Sequence, residues 1–176
     1  DRIATFDNDG TLWTEHPIYV EVQYTLGRIR DLAPQHPEWK TQQPFAAVVN
    51  GDRSAMEKFS EREFFRLMTS THAGVRPEEF RASVAAWLAA SKHPRFNRPY
   101  TDLVYQPMLE VLPCFLANGY KTFIVTGGTI DFVRSFAERT YGIPPEQVVG
   151  TTFDATYAFD GGVASVRIDP KLAALN

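Results

Sequence analysis

The chain has 176 residues, 44% of them hydrophobic and 22% charged, with a formal net charge of −3. That length supports one sizeable core, or a core and a smaller inserted module. So mild a negative charge argues against nucleic acid or an anionic membrane as partner, since both call for a basic face.

The single cysteine, Cys114, can form no intrachain disulfide, and its apolar neighbours predict a buried structural thiol rather than a nucleophile. No run of residues approaches the length of a membrane span, and no signal-peptide pattern is present. The expected compartment is the cytoplasm, although a chain that starts at Asp1 rather than Met leaves room for a removed leader.

The first element is Ile3-Ala4-Thr5-Phe6, an apolar run that stops at Asp7-Asn8-Asp9-Gly10-Thr11-Leu12-Trp13. It reads as a buried strand that delivers two acids to its C-terminal end, where open α/β sheets hold their ligands. Asp7 and Asp9 are two residues apart, so on an extended backbone they point the same way and repel. A hard divalent cation such as Mg2+ offsets that repulsion, because it takes oxygen ligands from one or two carboxylates, waters and a substrate phosphate. The stretch is also compatible with an Asx-turn closing a strand. A calcium loop of EF-hand type is excluded, since the required Gly and Glu positions hold Leu12 and Ile18. A third possibility is a carboxylate nucleophile with an acid/base partner two residues on.

Phe6-Asp7-Asn8-Asp9-Gly10-Thr11-Leu12 resembles the first motif of the haloacid dehalogenase-like (HAD) phosphohydrolases. The resemblance implies that Asp7 is the residue phosphorylated and Asp9 the general acid/base. It further implies Mg2+ as cofactor, held by Asp7 and by the backbone carbonyl of Asp9, and a Rossmann-like core.

Helical patterning follows. Residues 17–32 place Tyr19, Val22, Leu26 and Ile29 on one face, 44–49 form a short helix, and 54–68 another with Met56, Phe59, Phe64, Leu67 and Met68 apolar. Arg76-Pro77-Glu78-Glu79 opens a further helix running through Trp87 to about Ala90. The Pro-rich, basic stretch 91–101 reads as a linker. Residues 14–105 thus separate the first strand from the rest, in the place and with the character of the C1-type helical cap of the phosphoserine phosphatase-like branch. The core then comprises residues 1–13 and 106–176.

Residues 107–118 form an apolar-striped helix bent at Pro113 and closed by Asn118-Gly119. Residues 120–125 form a buried parallel strand, and Thr126-Gly127-Gly128-Thr129 leads into a helix ending near Tyr141. Strand, glycine turn and helix N-terminus together make an anion site. The turn resembles the second motif of the same family, which implies that Thr126 and the backbone N–H of Gly127 bind a phosphoryl oxygen; Thr129 reads as the helix cap. Residues 148–153 form another strand. A hairpin of 156–159 and 163–168 turns at Asp160-Gly161-Gly162, and its acids Asp154, Asp160 and Asp169 read as turn residues rather than ligands.

The family's lysine and its downstream acid have no convincing counterpart. Lys171 reads as a surface lysine, and the third metal ligand is expected beyond Asn176, in a longer parent protein. The fold class expected is α/β, a Rossmann-like parallel sheet with an inserted helical cap and a C-terminal hairpin. The expected activity is Mg2+-dependent hydrolysis of a small phosphorylated metabolite through an aspartyl-phosphate. Metal-independent dehalogenation and a phosphate-binding module without turnover are the alternatives; a receiver domain would carry its phosphorylated Asp on a later strand. Oligomeric state is not encoded in these residues.

Overall fold

The computed structural model describes residues 2–174, apart from the side chains of Asp160, Leu172 and Ala174. The outermost positions of the two expected core segments, 1 and 175–176, and the Asp160 side chain lie outside the described residues.

A four-stranded sheet with order β1-β2-β3-β4 forms the base of the molecule. Its strands are β1 (Arg2–Phe6), β2 (Tyr120–Thr129), β3 (Val148–Asp160) and β4 (Val163–Ala174). β1 and β2 run parallel, with Phe6 opposite Ile124, and β2 and β3 run parallel, with Val125 opposite Val149. β4 returns antiparallel to β3 at the edge. Gly161 and Gly162 make that return, both with positive φ of 57° and 83°, as a tight hairpin turn requires.

Between β1 and β2 lie α1 (Val20–Leu32), α2 (Phe45–Asn50), α3 (Arg53–Met56), α4 (Glu61–His72), α5 (Pro77–Ala90) and α6 (Gln106–Ala117). After β2 come α7 (Ile130–Arg134) and α8 (Ala137–Tyr141). The main core joins Leu12, Trp13, Ile124, Phe132 and Phe136 to Tyr24, Phe80, Val84 and Leu88 of the helical segment. A second apolar cluster, built around Ile29, Trp39, Phe45, Val48 and Leu67, belongs to the helices alone. Among the described residues no helix is long and apolar enough to cross a membrane.

Five expectations need correction. β1 is exposed along most of its length, with Ile3 58% exposed, because among the described residues β2 is its only strand partner. β2 buries one face, Thr122, Ile124 and Thr126, rather than both. The helix expected over 54–68 is two helices, since Ser60 and Glu63 form a capping box that starts α4 afresh. The helix expected over 130–141 is likewise interrupted, at Ser135 and Phe136. Cys114 is exposed on the outer face of α6, which turns Leu112 inward and leaves Leu109 and Leu116 outside. α6 itself continues through Pro113, and Gly119 closes its end with φ 77°.

Candidate active site

The parallel pairing of β1 with β2 sets the C-terminal ends of both strands side by side, so the acids after β1 meet the glycine turn late in β2. All four residues singled out in the sequence, Asp7, Asp9, Thr126 and Gly127, line one cleft of about 410 Å³. Gly128, Glu15, Tyr19, Glu21 and Val22 complete that floor and side, and Phe64 and Met68 of α4 close it from the helical segment.

The loop after β1 is tightly wound. The backbone carbonyl of buried Asn8 accepts from the N–H of Leu12 at 2.9 Å, and the N–H of Gly10 donates to the carbonyl of Trp13 at 2.9 Å. Gly10 sits at φ 74°, a left-handed conformation that disfavours a side chain, and the group lying nearest to a Cβ there is the mobile Glu15 carboxyl. The Trp13 indole N–H donates to Asp9 Oδ1 at 2.8 Å, and the same ring stacks on Phe136 at 4.4 Å. Asp9 is thereby fixed, while Asp7 is exposed at the mouth with one oxygen accepting from the Asn8 N–H at 2.8 Å. Burial pushes the Asp9 carboxyl up from the usual carboxylate range and the Asp7 charge adds to it, against the lowering effect of the indole.

The turn in β2 is gripped from two sides. Thr151 Oγ1 donates to the carbonyl of Gly127 at 2.8 Å, and a Cβ on Gly150 would approach the Gly128 carbonyl to 2.7 Å, so β3 lies against the turn only because residue 150 is glycine. The Gly128 N–H donates to Thr126 Oγ1 at 3.2 Å. Thr129 occupies the N-cap position of α7 but makes no side-chain cap bond, which corrects its expected role. Its hydroxyl and its N–H both donate to the Glu21 carboxylate, the latter at 2.9 Å. α7 spans five residues, too short for its dipole to contribute much to an anion site.

Sequence reading missed Glu21. It stands in the first turn of α1, one position from the apolar stripe, where an acid usually only complements the dipole. Here it is buried, which raises its pKa to about 7 against the lowering effect of the two Thr129 bonds. Glu15 does reach the cleft, whereas His16 points to solvent with its side chain 86% exposed. Arg62 and Arg66, plausible partners for a substrate carboxylate, line a separate depression, where Arg66 donates to the carbonyl of Gln43 at 2.8 Å. Lys171 pairs with Asp154 at 3.0 Å on the hairpin, and Asp169 accepts from Thr156, so none of these enters the cleft. Among the described residues no group of three or more acids, histidines or cysteines is placed to hold a metal.

No curated protein matches the chain. A solved protein of unknown function from Bordetella pertussis Tohama I aligns with TM-score 0.56 and 19% identity, over 98% of this chain and 66% of that one. A functionally unknown protein from Anaerococcus prevotii gives 0.56 and 17%, over 97% and 64%. A phosphoserine phosphohydrolase-like protein from Francisella tularensis gives 0.45 and 16%, over 94% and 64%. This chain thus spans about two thirds of the length of these structures, and at such identities the first two speak for the fold alone. The sequence model for haloacid dehalogenase-like hydrolases matches residues 4–175, nearly the entire chain and both ends of the cleft, and on that match the protein belongs to the haloacid dehalogenase-like hydrolase family.

Proposed function

We propose that the chain carries the nucleophile and the acid/base of a phosphatase that hydrolyses a small phosphorylated metabolite. The observation behind this reading is the convergence of Asp7, Asp9 and the Thr126-Gly127 turn on one cleft. A carboxylate oxygen of exposed Asp7 attacks phosphorus as the ester P–O bond breaks, and Asp9 gives its proton to the departing alkoxide. In the second half, Asp9 takes a proton from the water that attacks the aspartyl-phosphate, releasing phosphate and restoring Asp7. The raised pKa of Asp9 suits it to start as the acid, and the Trp13 indole on Oδ1 leaves Oδ2 for the proton in transit.

Mg2+ fits the donor set in kind, since two carboxyl groups stand close enough for Asp7 to raise the pKa of Asp9. The Asp7 carboxylate and the Asp9 carbonyl would hold it, and once bound it would offset the charge on acid and phosphate. Thr126 and the Gly127 N–H orient the phosphoryl oxygens.

In this reading residues 14–105 are a cap. Entry and exit of that segment pair side by side, Thr14 N–H to the Leu103 carbonyl at 3.2 Å and Tyr105 N–H to the Leu12 carbonyl at 2.9 Å. Tyr19, Val22, Phe64 and Met68 give the leaving group a mostly apolar wall, and among the described residues lining the cleft none is Lys or Arg. Phosphate release from a panel of small phosphomonoesters with Mg2+ tests the reading. Asp7→Asn should lower kcat at least about a thousandfold, and EDTA should abolish turnover. An Asp7→Asn protein as active as the parent, or EDTA-insensitive turnover, would overturn it.

A further inference from the structure

We propose that Glu21 is a positioning residue that clasps the phosphate-binding turn: from α1 it holds Thr129 and so keeps Thr126, Gly127 and Gly128 in their receiving geometry. The inference rests on the phosphatase reading and extends it to a residue outside both motifs.

Glu21 reaches from the helical segment to the turn across 108 positions of sequence and takes both donors that Thr129 offers. A buried carboxylate is costly, and among the described residues no Lys or Arg pairs with this one to offset it. Thr129 in turn gives up the cap bond that its position at the head of α7 would normally supply, so both partners forgo their ordinary roles for this contact. The carboxylate also presses on the turn directly, since a Cβ on Gly128 would lie 3.0 Å from Glu21 Oε2. β3 holds the opposite side through Thr151 and Gly150, which leaves the α1 side to Glu21.

Behind Glu21 stands His72 of α4. Its Nδ1 lies 2.7 Å from the Met68 carbonyl, which can only accept, so Nδ1 carries the proton and Nε2 is bare. That Nε2 faces Glu21 Oε1 at 4.0 Å and has no hydrogen-bond partner among the described residues. With Phe80 stacked on its ring and Phe153 tilted against it, His72 limits how far the carboxylate can swing from Thr129.

The test uses Glu21→Ala, Glu21→Gln, Thr129→Val and the Ala/Val double variant. It measures kcat and KM for p-nitrophenyl phosphate with Mg2+, and calorimetric binding of inorganic phosphate, each beside a melting curve. Glutamine can accept from the Thr129 N–H and donate to its hydroxyl, so Glu21→Gln should bind phosphate within about threefold of the parent. Glu21→Ala should weaken phosphate binding and raise KM about tenfold, and Thr129→Val should do the same in part. The double variant should be no worse than Glu21→Ala, because the two substitutions break one contact. Unchanged phosphate affinity in a folded Glu21→Ala, a Gln variant as impaired as Ala, or independent effects in the double variant would each overturn the clasp while leaving the phosphatase reading intact. If Glu21→Ala does not fold, Gln and Thr129→Val decide the matter alone. A parent protein that neither binds phosphate nor turns over ester removes both proposals together.

Discussion

Two buried titratable residues, Glu21 and His72, face each other with opposed proton preferences. Burial raises Glu21 from 4.5 to about 7, so the folded state binds the extra proton and stability falls as pH climbs through that interval. Burial lowers His72 from 6.5 to about 4, so the unfolded state binds the extra proton and stability falls as pH drops from 6.5 towards 4. Each contribution is on the order of 3 kcal/mol at its limit. Between pH 4.5 and 6.5 the two slopes oppose each other, and the parent should show little pH dependence from this pair. Urea titrations at a series of pH values should therefore find Glu21→Gln gaining stability from pH 4 to 6.5, and His72→Gln losing it from 4.5 to 7. Flat profiles in both variants would show that neither group titrates as its burial implies. Asp9 follows the same logic at the cleft, where desolvation and a neighbouring acid keep it protonated to higher pH than a surface aspartate.

Among the elements, α4 supplies Phe64 and Met68 to the cleft wall and His72 behind Glu21, three residues on one helical face four positions apart. Its start is set by the capping box, in which the Glu63 N–H donates to Ser60 Oγ at 3.3 Å while the Ser60 N–H donates to Glu63 Oε2 at 2.9 Å. Ser60→Ala should cost about 1 kcal/mol, read as a lower urea midpoint at unchanged slope. A loss below measurement would mean that tertiary contacts rather than the cap define where α4 begins. The far end of α4 is held by the hairpin, whose Ile168 carbonyl accepts from the Gly74 N–H at 2.8 Å and whose Ile168 N–H donates to the Val75 carbonyl at 2.9 Å. The wall of the cleft is thus braced by β4, an element distant in sequence.

At the scale of the whole molecule, the most exposed large apolar side chains among the described residues gather at the hairpin tip, with Tyr157 64%, Phe159 67% and Val163 65% exposed. Apolar side chains gathered on one exposed patch favour burial against another surface. Sedimentation velocity should show this chain associating as its concentration rises, and Phe159→Lys should shift the distribution towards monomer. Equal association by the variant would show that the hairpin tip is not the contact.

The alternation of an apolar run, two acids and a glycine was enough to read β1, its turn and both acids from sequence, because these depend on neighbours within a few residues. The glycine turn of β2 and the helical character of the segment before it were legible for the same reason, as were α1, α5 and α6 to within a few residues. The break between α3 and α4 was missed although its signal, the Ser60 to Glu63 capping box, lies in the sequence, whereas that between α7 and α8 was not legible, since periodicity continues through it. Burial was misread where it depends on what lies alongside: among the described residues β1 has a strand partner on one side, and Cys114 sits on an exposed face of α6. Glu21 is the clearest case, for its meaning comes from Thr129, 108 residues away, and only the folded chain brings a helix acid and a turn hydroxyl within bonding distance.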